Sequence, residues 1–368
     1  MNAPFRYDYV GSFLRPKEIK KAREAFEKGE ILREELTKVE DACIIELIGK
    51  LKGLGYHVIT DGEFRRSWWH MDFFWGLDGI EKRKTKDGLH FHDEVTKAET
   101  AVITGKISGH LHPFVDHFRF VKQFEDGNTV AKQTIPAPAQ LLVQLRLPEY
   151  LEQNRSVYPD DGELKEDIVR AYHQVIDDLY EAGCRNLQFD DCTWTLYADR
   201  RMWRAFRINE EKLKKIAEEE IDLNNRVLAH KPKGMVINTH VCRGNFHSTY
   251  ASEGAYDPIA PYLFAKENVD AFYLEYDDER SGGFEPLRYV PEGKKVVLGL
   301  ITSKRGELED RERIKERICE ASKYVPLKDL CLSPQCGFAS TEEGNQLTSD
   351  QQWQKLKLIR EIAEEVWG

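Results

Sequence analysis

The amino-acid sequence predicts an α/β protein, a (βα)8 TIM barrel with an antiparallel β insertion after the second βα unit. Short runs of β-branched or aromatic residues alternate with long amphipathic, charge-rich stretches, which is the pattern of βα units repeated around a parallel sheet. These short runs number eight, as in a (βα)8 barrel. The chain of 368 residues is also long enough for such a barrel, which typically takes about 250 residues.

The predicted strands and helices alternate along the chain, and each strand is followed by a helical candidate. The strands cover residues 7–10, 58–60, 132–135, 186–189, 235–239, 271–274, 295–301 and 328–332. The clearest helical patterns cover residues 164–182, 210–229, 310–324 and 350–366. No internal repeat, low-complexity tract or Pro/Ser linker interrupts the pattern, so residues 1–368 are predicted to form a single domain.

An insertion at residues of about 80–126 breaks this rhythm. Segments 100–104 and 117–121 alternate apolar and polar residues between Gly-rich and charged turns, which predicts antiparallel strands. The insertion also holds five histidines, whose near-alternation favours the polar face of a hairpin over a metal site: His90, His92, His110, His112 and His117.

The composition argues against two classes of partner. Apolar residues make up 41% of the chain and charged residues 32%, which is enough for a sizeable core under a well-solvated surface. The net charge of -10 disfavours nucleic acid or an anionic membrane as the main partner. No apolar signal region or transmembrane run is present, and seven cysteines are an odd number that indicates reduced thiols, so we predict a cytoplasmic protein. The sequence leaves homo-oligomerisation open.

Reactive residues follow the predicted strands with unusual regularity. The carboxyl ends of barrel strands meet at one edge, here called the carboxyl rim, where the active sites of such barrels lie. In strand order the residues at this rim are Gly11-Ser12, Asp61-Gly62-Glu63, Pro136, Asp190-Asp191, His240-Val241-Cys242, Glu275, Thr302-Ser303 and Cys336. A random scatter of reactive residues would not line one rim so consistently.

Four of these residues predict a catalytic zinc site. The i, i+2 spacing of His240 and Cys242 puts both side chains on one side of an extended strand end. Glu275 and Cys336 follow later strands and meet the same rim, and zinc accepts nitrogen, sulfur and oxygen donors. Two other interpretations stay open: His240 and Cys242 as packed core residues, and a zinc ion that only stabilises the fold.

Three acidic residues of the rim have more than one interpretation. Asp190 and Asp191 suit an acid/base pair or a second metal site, and equally a capped strand end. Glu63 suits the same chemistry or a simple Glu-Arg pair. The aromatic run at residues 68–75 suits a stacking wall over a substrate, although core packing or a subunit contact is the commoner role.

The chain resembles the catalytic barrel of the cobalamin-independent methionine synthase family and its shorter stand-alone relatives. Four motifs in this order carry the resemblance over nearly the whole chain: Val10-Gly11-Ser12-Phe13-Leu14-Arg15-Pro16, Asp61-Gly62-Glu63-Phe64-Arg65-Arg66, Thr239-His240-Val241-Cys242 and Ser333-Pro334-Gln335-Cys336-Gly337. The resemblance implies a (βα)8 barrel and one zinc ion per chain, held by residues matching His240, Cys242, Glu275 and Cys336. It also implies that homocysteine places its carboxylate at Gly11 and Ser12 and its ammonium group at Glu63 and Asp190.

The sequence departs from the full-length synthases in two places. There is no room for the second, N-terminal barrel that helps bind methyltetrahydrofolate, so the methyl donor is not predicted. The segment after the seventh strand reads Leu300-Ile301-Thr302-Ser303-Lys304 where the synthase has a catalytic His-Ser. This difference predicts another donor or leaving group.

The predicted function is therefore zinc-dependent methyl or alkyl transfer to a small thiol, with homocysteine the favoured acceptor and its zinc-bound thiolate the nucleophile. Glu63 and Asp190 would orient the ammonium group, and Asp191 would position a cationic neighbour or relay a proton. One alternative is the related epoxyalkane:coenzyme M transferase activity, with a sulfonate clamp drawn from Arg15, Arg65, Arg66, Arg243, Lys304 and Arg305. Another is a zinc-binding or thiol-binding protein without catalysis.

Overall fold

The structure, a computed structural model, describes residues 1–205 and 207–368. The strands of this part of the chain are β1 (Val58–Ile59), β2 (Asp78–Lys84), β3 (Glu99–Ser108), β4 (Val130–Ala131), β5 (Gln133–Pro136), β6 (Asn186–Asp190), β7 (Val236–Val241), β8 (Ala271–Glu275), β9 (Lys295–Ile301) and β10 (Leu330–Pro334). The α-helices are α1 (Lys17–Glu27), α2 (Arg33–Gly53), α3 (Met71–Trp75), α4 (Pro113–Lys122), α5 (Pro138–Leu145), α6 (Leu151–Val157), α7 (Asp161–Glu181), α8 (Thr193–Ala198), α9 (Arg200–Ala205), α10 (Glu210–Leu228), α11 (Ala260–Lys266), α12 (Arg311–Ala321) and α13 (Ser349–Trp367).

Parallel strands form the centre of the molecule. Six of them make one sheet in the order β10-β9-β8-β7-β6-β5, and β1 pairs in parallel with β4. Only Lys132 separates β4 from β5, and its N–H donates to the carbonyl oxygen of Ile59, so β1 continues the array beyond β5. Strands β6, β8 and β10 are buried throughout, as expected of parallel strands covered on both faces. The predicted α/β class is confirmed.

The N-terminal segment contacts both edges of this array. Tyr7 forms an isolated parallel bridge with Leu332 of β10, and the N–H of Phe13 donates to the carbonyl oxygen of Gly62, just beyond β1, at 3.0 Å. The strand predicted over residues 7–10 is therefore wrong in extent, because only the bridge at Tyr7 is present. The N–H of Tyr9 donates to the side chain of Asp8 at 2.7 Å and not to a neighbouring strand.

The segment predicted as an insertion contains one antiparallel pair, β2 with β3, which includes the predicted strand 100–104. The strand predicted over 117–121 is wrong, because these residues lie in helix α4. Pro113 is the first residue of α4, and the ring of His112 caps it by accepting from the N–H of Phe114. The apolar side chains of α4 repeat with a helical period, and the buried ones are Phe114, Val115, Phe118 and Val121.

Two histidines of this segment are also not on a polar hairpin face, as the sequence had suggested. His112 is 1% exposed and serves as the α4 cap. His117 lies within α4, and its Nδ1 is buried without a hydrogen-bond partner among the described residues. Burial lowers the pKa of both rings, to about 4 in each case. His112 therefore belongs to the packed interior, and His117 is half-buried within α4.

The four helices with the clearest sequence patterns form α7, α10, α12 and α13, each within three residues of its predicted ends. Each begins at a residue whose side chain accepts a first-turn N–H, as sequence patterns of helix starts require: Asp160, Asn209, Asp310 and Thr348. Thr348 and Gln351 form a full capping box at the start of α13. None of the described helices is long and apolar enough to cross a lipid bilayer.

The two faces of the parallel sheet differ in chemistry because successive side chains of a strand point to opposite faces. On one face, apolar side chains such as Phe189 and Leu274 join the large core that includes the helices. On the other face, Lys132 and Asp8 form a fully buried ion pair at 3.2 Å, and the hydroxyl of Tyr273 donates to Asp8 at 3.0 Å. This polar face ends at the carboxyl rim in the residues of the candidate site.

Candidate active site

Three metal-ligating side chains meet at the carboxyl rim. His240 lies on β7, Cys242 follows it, and Cys336 follows β10, and one ligand atom from each lies within 4.8 Å of the others. All three residues are buried, and neither ring nitrogen of His240 has a hydrogen-bond partner among the described residues. A buried imidazole with two unpaired nitrogens is costly unless one of them binds an ion. One nitrogen and two sulfur donors in this arrangement fit zinc.

The predicted fourth ligand, Glu275, lies at the end of β8, outside this three-residue group. Its Oε1 is 3.3 Å from Nη2 of Arg280 and 3.4 Å from Nζ of Lys304, and its Oε2 accepts from the N–H of Arg243 at 2.7 Å. Burial raises the pKa of Glu275, and Lys304 opposes the rise. Glu275 is thus paired with two cations at the edge of the cluster, and its binding to a metal stays a prediction.

A third cysteine thiol, which was not among the residues predicted from the sequence, belongs to this site. The Sγ of Cys192 is 3.5 Å from the Sγ of Cys242. Cys192 lies two residues after Asp190, the last residue of β6, and this position beyond a strand end is the signal that could have identified it. Hydrogen bonds with Cys192 and Cys336 lower the pKa of the Cys242 thiol well below its usual value. Cys242 is therefore flanked by two other thiols at this site.

Glu63 is held beside this cluster in a strained backbone conformation. Its φ of 61° lies in the left-handed region that side chains other than glycine rarely adopt, and Asp61 supports it by accepting from its N–H at 2.8 Å. Its Oε1 accepts from the hydroxyl of Thr134 at 3.0 Å and lies 3.4 Å from Arg66, while its Oε2 is buried with no partner among the described residues. Burial raises the pKa of Glu63, and Arg66 opposes the rise. The unpaired Oε2 is free to bind a cationic ligand.

Asp190 is the second carboxylate beside the metal cluster. It is the register partner of His240 across β6 and β7, and its Oδ1 accepts from Nε2 of Gln188 at 2.8 Å. Burial raises the pKa of Asp190 to about 7, His240 opposes the rise, and the nearby charge of Glu63 adds to it. The predicted residues Glu63 and His240 therefore both lie close enough to Asp190 to influence its ionisation.

Gly11 and Ser12 pack tightly between these residues and the Cys336 turn. A Cβ atom at Gly11 would lie 2.9 Å from Thr134 Cγ2 and 3.2 Å from Glu63 Oε1, so the backbone approaches Glu63 only because residue 11 is glycine. A Cβ atom at Gly337 would lie 1.9 Å from the Oγ of Ser12. The two glycine-containing motifs of the sequence therefore fit against each other at the rim.

Asp191 has a different environment from Asp190. Its carboxylate accepts hydrogen bonds from the N–H and hydroxyl of Thr193, from Nε1 of Trp194 and from Nδ2 of Asn224. These contacts fix the start of α8 and the adjoining wall, and no lysine or arginine of the described chain is among the hydrogen-bond donors. The contacts match the capped strand end more closely than the positioning of a cation, and the proton-relay role of Asp191 stays a prediction.

Glu267 extends this wall and gives it a testable pH dependence. It is fully buried, its Oε1 accepts from Nδ2 of Asn224 at 2.8 Å, and its Oε2 has no partner among the described residues. Burial raises the pKa of Glu267 from 4.5 to about 8, and the charge of Asp191 adds to the rise. Between these two pH values the unfolded chain has lost a proton that the folded chain retains, so the free energy of unfolding falls as the pH rises.

We expect Glu267→Gln to remove this pH-dependent loss, because the amide stays neutral. At about 1.4 kcal/mol per pKa unit, the wild type should lose on the order of 4 kcal/mol relative to the variant between about pH 4.5 and about pH 8. Denaturant unfolding at several pH values measures the difference, with Glu316→Gln on the exposed face of α12 as the control. Parallel curves for wild type and Glu267→Gln would contradict the prediction.

Most of the cationic side chains predicted to form a sulfonate clamp already bind other groups of the protein. Arg15 donates to the carbonyl oxygens of Phe13 and Ala339, and Arg65 pairs with Glu40 and Asp41. Arg66 pairs with Glu63, Arg243 donates to the carbonyl oxygen of Gly254, and Arg305 is exposed. Lys304 is paired with Glu275. These contacts do not favour the sulfonate alternative.

The aromatic run at residues 68–75 is largely core. Trp68, Met71, Phe73 and Phe74 are at most 3% exposed, so these side chains do not form a stacking wall. Trp69 is half-buried, and its N–H donates to the carbonyl oxygen of Ser340 in the Cys336 loop. This run therefore packs mainly in the core and contacts the Cys336 loop through Trp69.

Comparison with known proteins shows that the chain resembles one family over nearly its whole length. The family described as the catalytic domain of cobalamin-independent synthase matches residues 7–365. YxjH of Bacillus subtilis strain 168, a protein of uncharacterised function, is 45% identical over 99% of this chain and 95% of its own length. A crystal structure from Listeria monocytogenes, provisionally a vitamin B12-independent methionine synthase, is 42% identical with a TM-score of 0.79 and covers 100% of this chain and 99% of that one.

A structure with lower sequence identity shares the same fold over nearly the whole chain. The B12-independent methionine synthase from Shewanella sp. W3-18-1, solved with selenomethionine, is 19% identical with a TM-score of 0.74 over 99% of this chain and 98% of that one. The resemblance deduced from the four sequence motifs is thus confirmed. The chain belongs to the family of the catalytic domain of cobalamin-independent methionine synthase.

Proposed function

We propose that this protein is a zinc-dependent transferase that moves a methyl or other alkyl group to the sulfur of a small thiol amino acid, with homocysteine the favoured acceptor. The observation that carries the proposal is the position of three buried metal donors, His240, Cys242 and Cys336, beside two buried carboxylates, Glu63 and Asp190. Membership of a methyltransferase family supports it. Formation of methionine is the reaction that these features favour.

His240, Cys242 and Cys336 would hold the zinc ion, with Glu275 as the fourth protein donor. Bound zinc would keep the substrate sulfur ionised near neutral pH, where a free thiol with a pKa of about 8.5 is mostly protonated. The two cysteine side chains bring negative charge to the site, which favours electron donation by the bound sulfur. Lys304 and Arg280 limit that charge by pairing with Glu275.

Glu63 and Asp190 would bind the ammonium group of the substrate. The Oε2 of Glu63 lacks a partner among the described residues, and both carboxyl groups have raised pKa values because they are buried. An ammonium group would favour the ionised form of both and satisfy the unpaired oxygen. The backbone of Gly11 and Ser12 would receive the substrate carboxylate. This backbone lies close to Glu63 because residue 11 has no side chain.

The alkyl donor would differ from that of the full-length synthases. The segment Leu300-Ile301-Thr302-Ser303-Lys304 takes the place of the catalytic His-Ser of those enzymes, and its Lys304 is 6% exposed and lies 3.4 Å from Glu275 and 3.7 Å from Asp277. A buried, ion-paired ammonium group holds its proton more firmly than an imidazole does at neutral pH. A donor whose leaving group needs no proton from this position therefore suits the site.

We also propose that residues 1–368 form one closed (βα)8 barrel, with the insertion after its second βα unit. The bridge between Tyr7 and Leu332 on one edge and the hydrogen bond between Phe13 and Gly62 on the other support closure. One large apolar core that extends from Ala3 to Ile362 supports a single domain. A single cooperative unfolding transition by calorimetry and circular dichroism is expected, and two separate transitions would oppose the proposal.

A cytoplasmic location is proposed from the thiol chemistry. All seven cysteines are free, and the site requires Cys242 and Cys336 as reduced metal donors. Reducing compartments keep such thiols available. Fractionation of the native host with an antibody to the protein would test the location.

The decisive experiment combines zinc analysis with a turnover screen. Purified protein is expected to contain one zinc ion per chain and to form methionine from homocysteine with one of three donors: methyltetrahydrofolate monoglutamate, S-methylmethionine or methylcobalamin. Coenzyme M with epoxypropane tests the alternative acceptor in the same assay. Stoichiometric zinc with uptake of homocysteine but no turnover would replace the enzyme by a thiol-binding protein, and a lack of zinc would refute the proposal.

A further inference from the structure

We propose that Cys192 and Cys242 are a site of reversible oxidation, at which a disulfide forms and releases the metal ion from the candidate site. The release of metal rests on the proposed zinc function, whereas formation of the disulfide does not. The two Sγ atoms are 3.5 Å apart, and a disulfide requires about 2.05 Å. The two sulfur atoms would therefore have to approach each other by about 1.5 Å to form the bond.

The local structure brings these two cysteines together and holds them there. Cys192 immediately precedes α8, and its N–H donates to Oε1 of Gln140 at 3.1 Å. On the same helix, the hydroxyl of Thr195 donates to the carbonyl oxygen of Cys242 at 2.8 Å. A hydrogen bond thus joins the segment after β6 to the segment after β7, and it holds the two cysteines near each other.

The two cysteines differ in exposure in a way that sets the order of the reaction. Cys192 is half-buried, whereas Cys242 and Cys336 are 2% and 5% exposed. A peroxide would oxidise the Cys192 sulfur to a sulfenic acid, and one water would leave as the peroxide O–O bond breaks. The Cys242 thiolate would then attack the Cys192 sulfur, so that the S–S bond forms and the S–O bond breaks. The hydroxide that leaves takes up a proton from solvent and becomes a second water.

Formation of this bond would remove one of the three clustered metal donors. Cys242 shares its electron pair with the new bond and can no longer serve as a thiolate, which leaves His240 and Cys336 from the group. Without the Cys242 thiolate, the remaining donors would hold zinc much less firmly, so the ion would dissociate. Reduction by a thiol would restore Cys242 and allow the ion to bind again.

The test treats zinc-loaded protein with hydrogen peroxide, follows zinc release with a chromogenic chelator, and maps disulfides by mass spectrometry after alkylation of free thiols. Wild-type protein is expected to release its zinc as the peptides containing Cys192 and Cys242 become linked, and dithiothreitol with zinc should restore occupancy. Cys192→Ser should bind zinc when reduced and retain it under the same oxidation. Cys319→Ser, at an exposed cysteine of α12, should behave as the wild type does.

Three results would overturn the inference. The first is a disulfide that links Cys242 to Cys336 and not to Cys192. The second is release of zinc from Cys192→Ser at the wild-type rate. The third is failure of reduced Cys192→Ser to bind zinc, which would make Cys192 a metal ligand. If the reduced wild type binds no zinc, the proposed function fails. The disulfide map of the metal-free protein still decides between Cys192 and Cys336 as the partner of Cys242.

Discussion

Replacement of Cys336 by serine is expected to abolish both stoichiometric zinc and alkyl transfer while leaving the protein folded. Cys336 supplies one of three clustered donors, and a serine hydroxyl is a poor zinc ligand because it stays protonated at neutral pH. Since even the loss of a residue that only supports a ligand costs about 10–100-fold in metal affinity, the loss of a ligand should cost more than about 100-fold. Metal analysis after dialysis and the initial rate of methionine formation measure the two effects.

The fold should survive this substitution because serine is smaller than cysteine and matches its polar contact. The Cys336 Sγ lies 3.9 Å from the hydroxyl of Ser340, which a serine at position 336 can still approach. Circular dichroism and the melting temperature separate loss of metal from loss of structure. Cys319→Ser on α12 is the matched control, since it removes an exposed thiol that does not belong to the cluster. Full activity of Cys336→Ser would refute the metal-centred mechanism.

The parallel strands were predictable because their apolar runs have few alternative structures. Strands β6, β8 and β9 are runs of buried residues between polar segments, and the structure begins each one at its predicted first residue. The N-terminal strand was harder to predict, because an aspartate side chain at position 8 takes the N–H of Tyr9 away from the sheet. Local side-chain bonds of this kind compete with strand pairing and leave no periodic signal.

Helix α4 shows a different limit. Residues 117–121 alternate in polarity, but the same residues also carry a helical period when Phe114 and Val115 are included. The Pro113 start and the His112 cap decide in favour of the helix, and a histidine is not among the usual capping residues. A short window therefore gave the wrong period, whereas a longer one would have favoured the helix.

The candidate site was predictable where residues lie on strands and less so where loops decide. The positions of His240 and Asp190 follow from strand periodicity and register, and the structure pairs them directly. The contact between Cys192 and Cys242 depends on how the segment before α8 folds back, which strand periodicity does not determine. The ion pairs of Glu275 likewise come from Arg280 and Lys304, in the segments that follow β8 and β9.

The second large effect is expected from Glu63→Gln, which should weaken binding of a thiol substrate that carries an ammonium group. The glutamine keeps the size of Glu63, and its carbonyl oxygen can still accept from Thr134, but the variant removes the negative charge next to the unpaired position at Oε2. Hydrogen bonds to charged groups contribute about 1.5–3 kcal/mol, so kcat/KM for homocysteine should fall roughly 10–100-fold, mostly through KM. Zinc content should stay that of the wild type.

A substrate comparison distinguishes this role from a structural one. The analogue of homocysteine that lacks the amino group should react poorly with the wild type and lose little further in Glu63→Gln, because the interaction that the variant removes is already absent. Glu163→Gln, at an exposed carboxylate that pairs with Lys106, controls for the change in net charge. An equal loss for both substrates would contradict the recognition role. It would mean that Glu63 stabilises the structure of the rim, through its strained backbone with a φ of 61° and its ion pair with Arg66. A loss confined to homocysteine assigns the buried charge to substrate recognition.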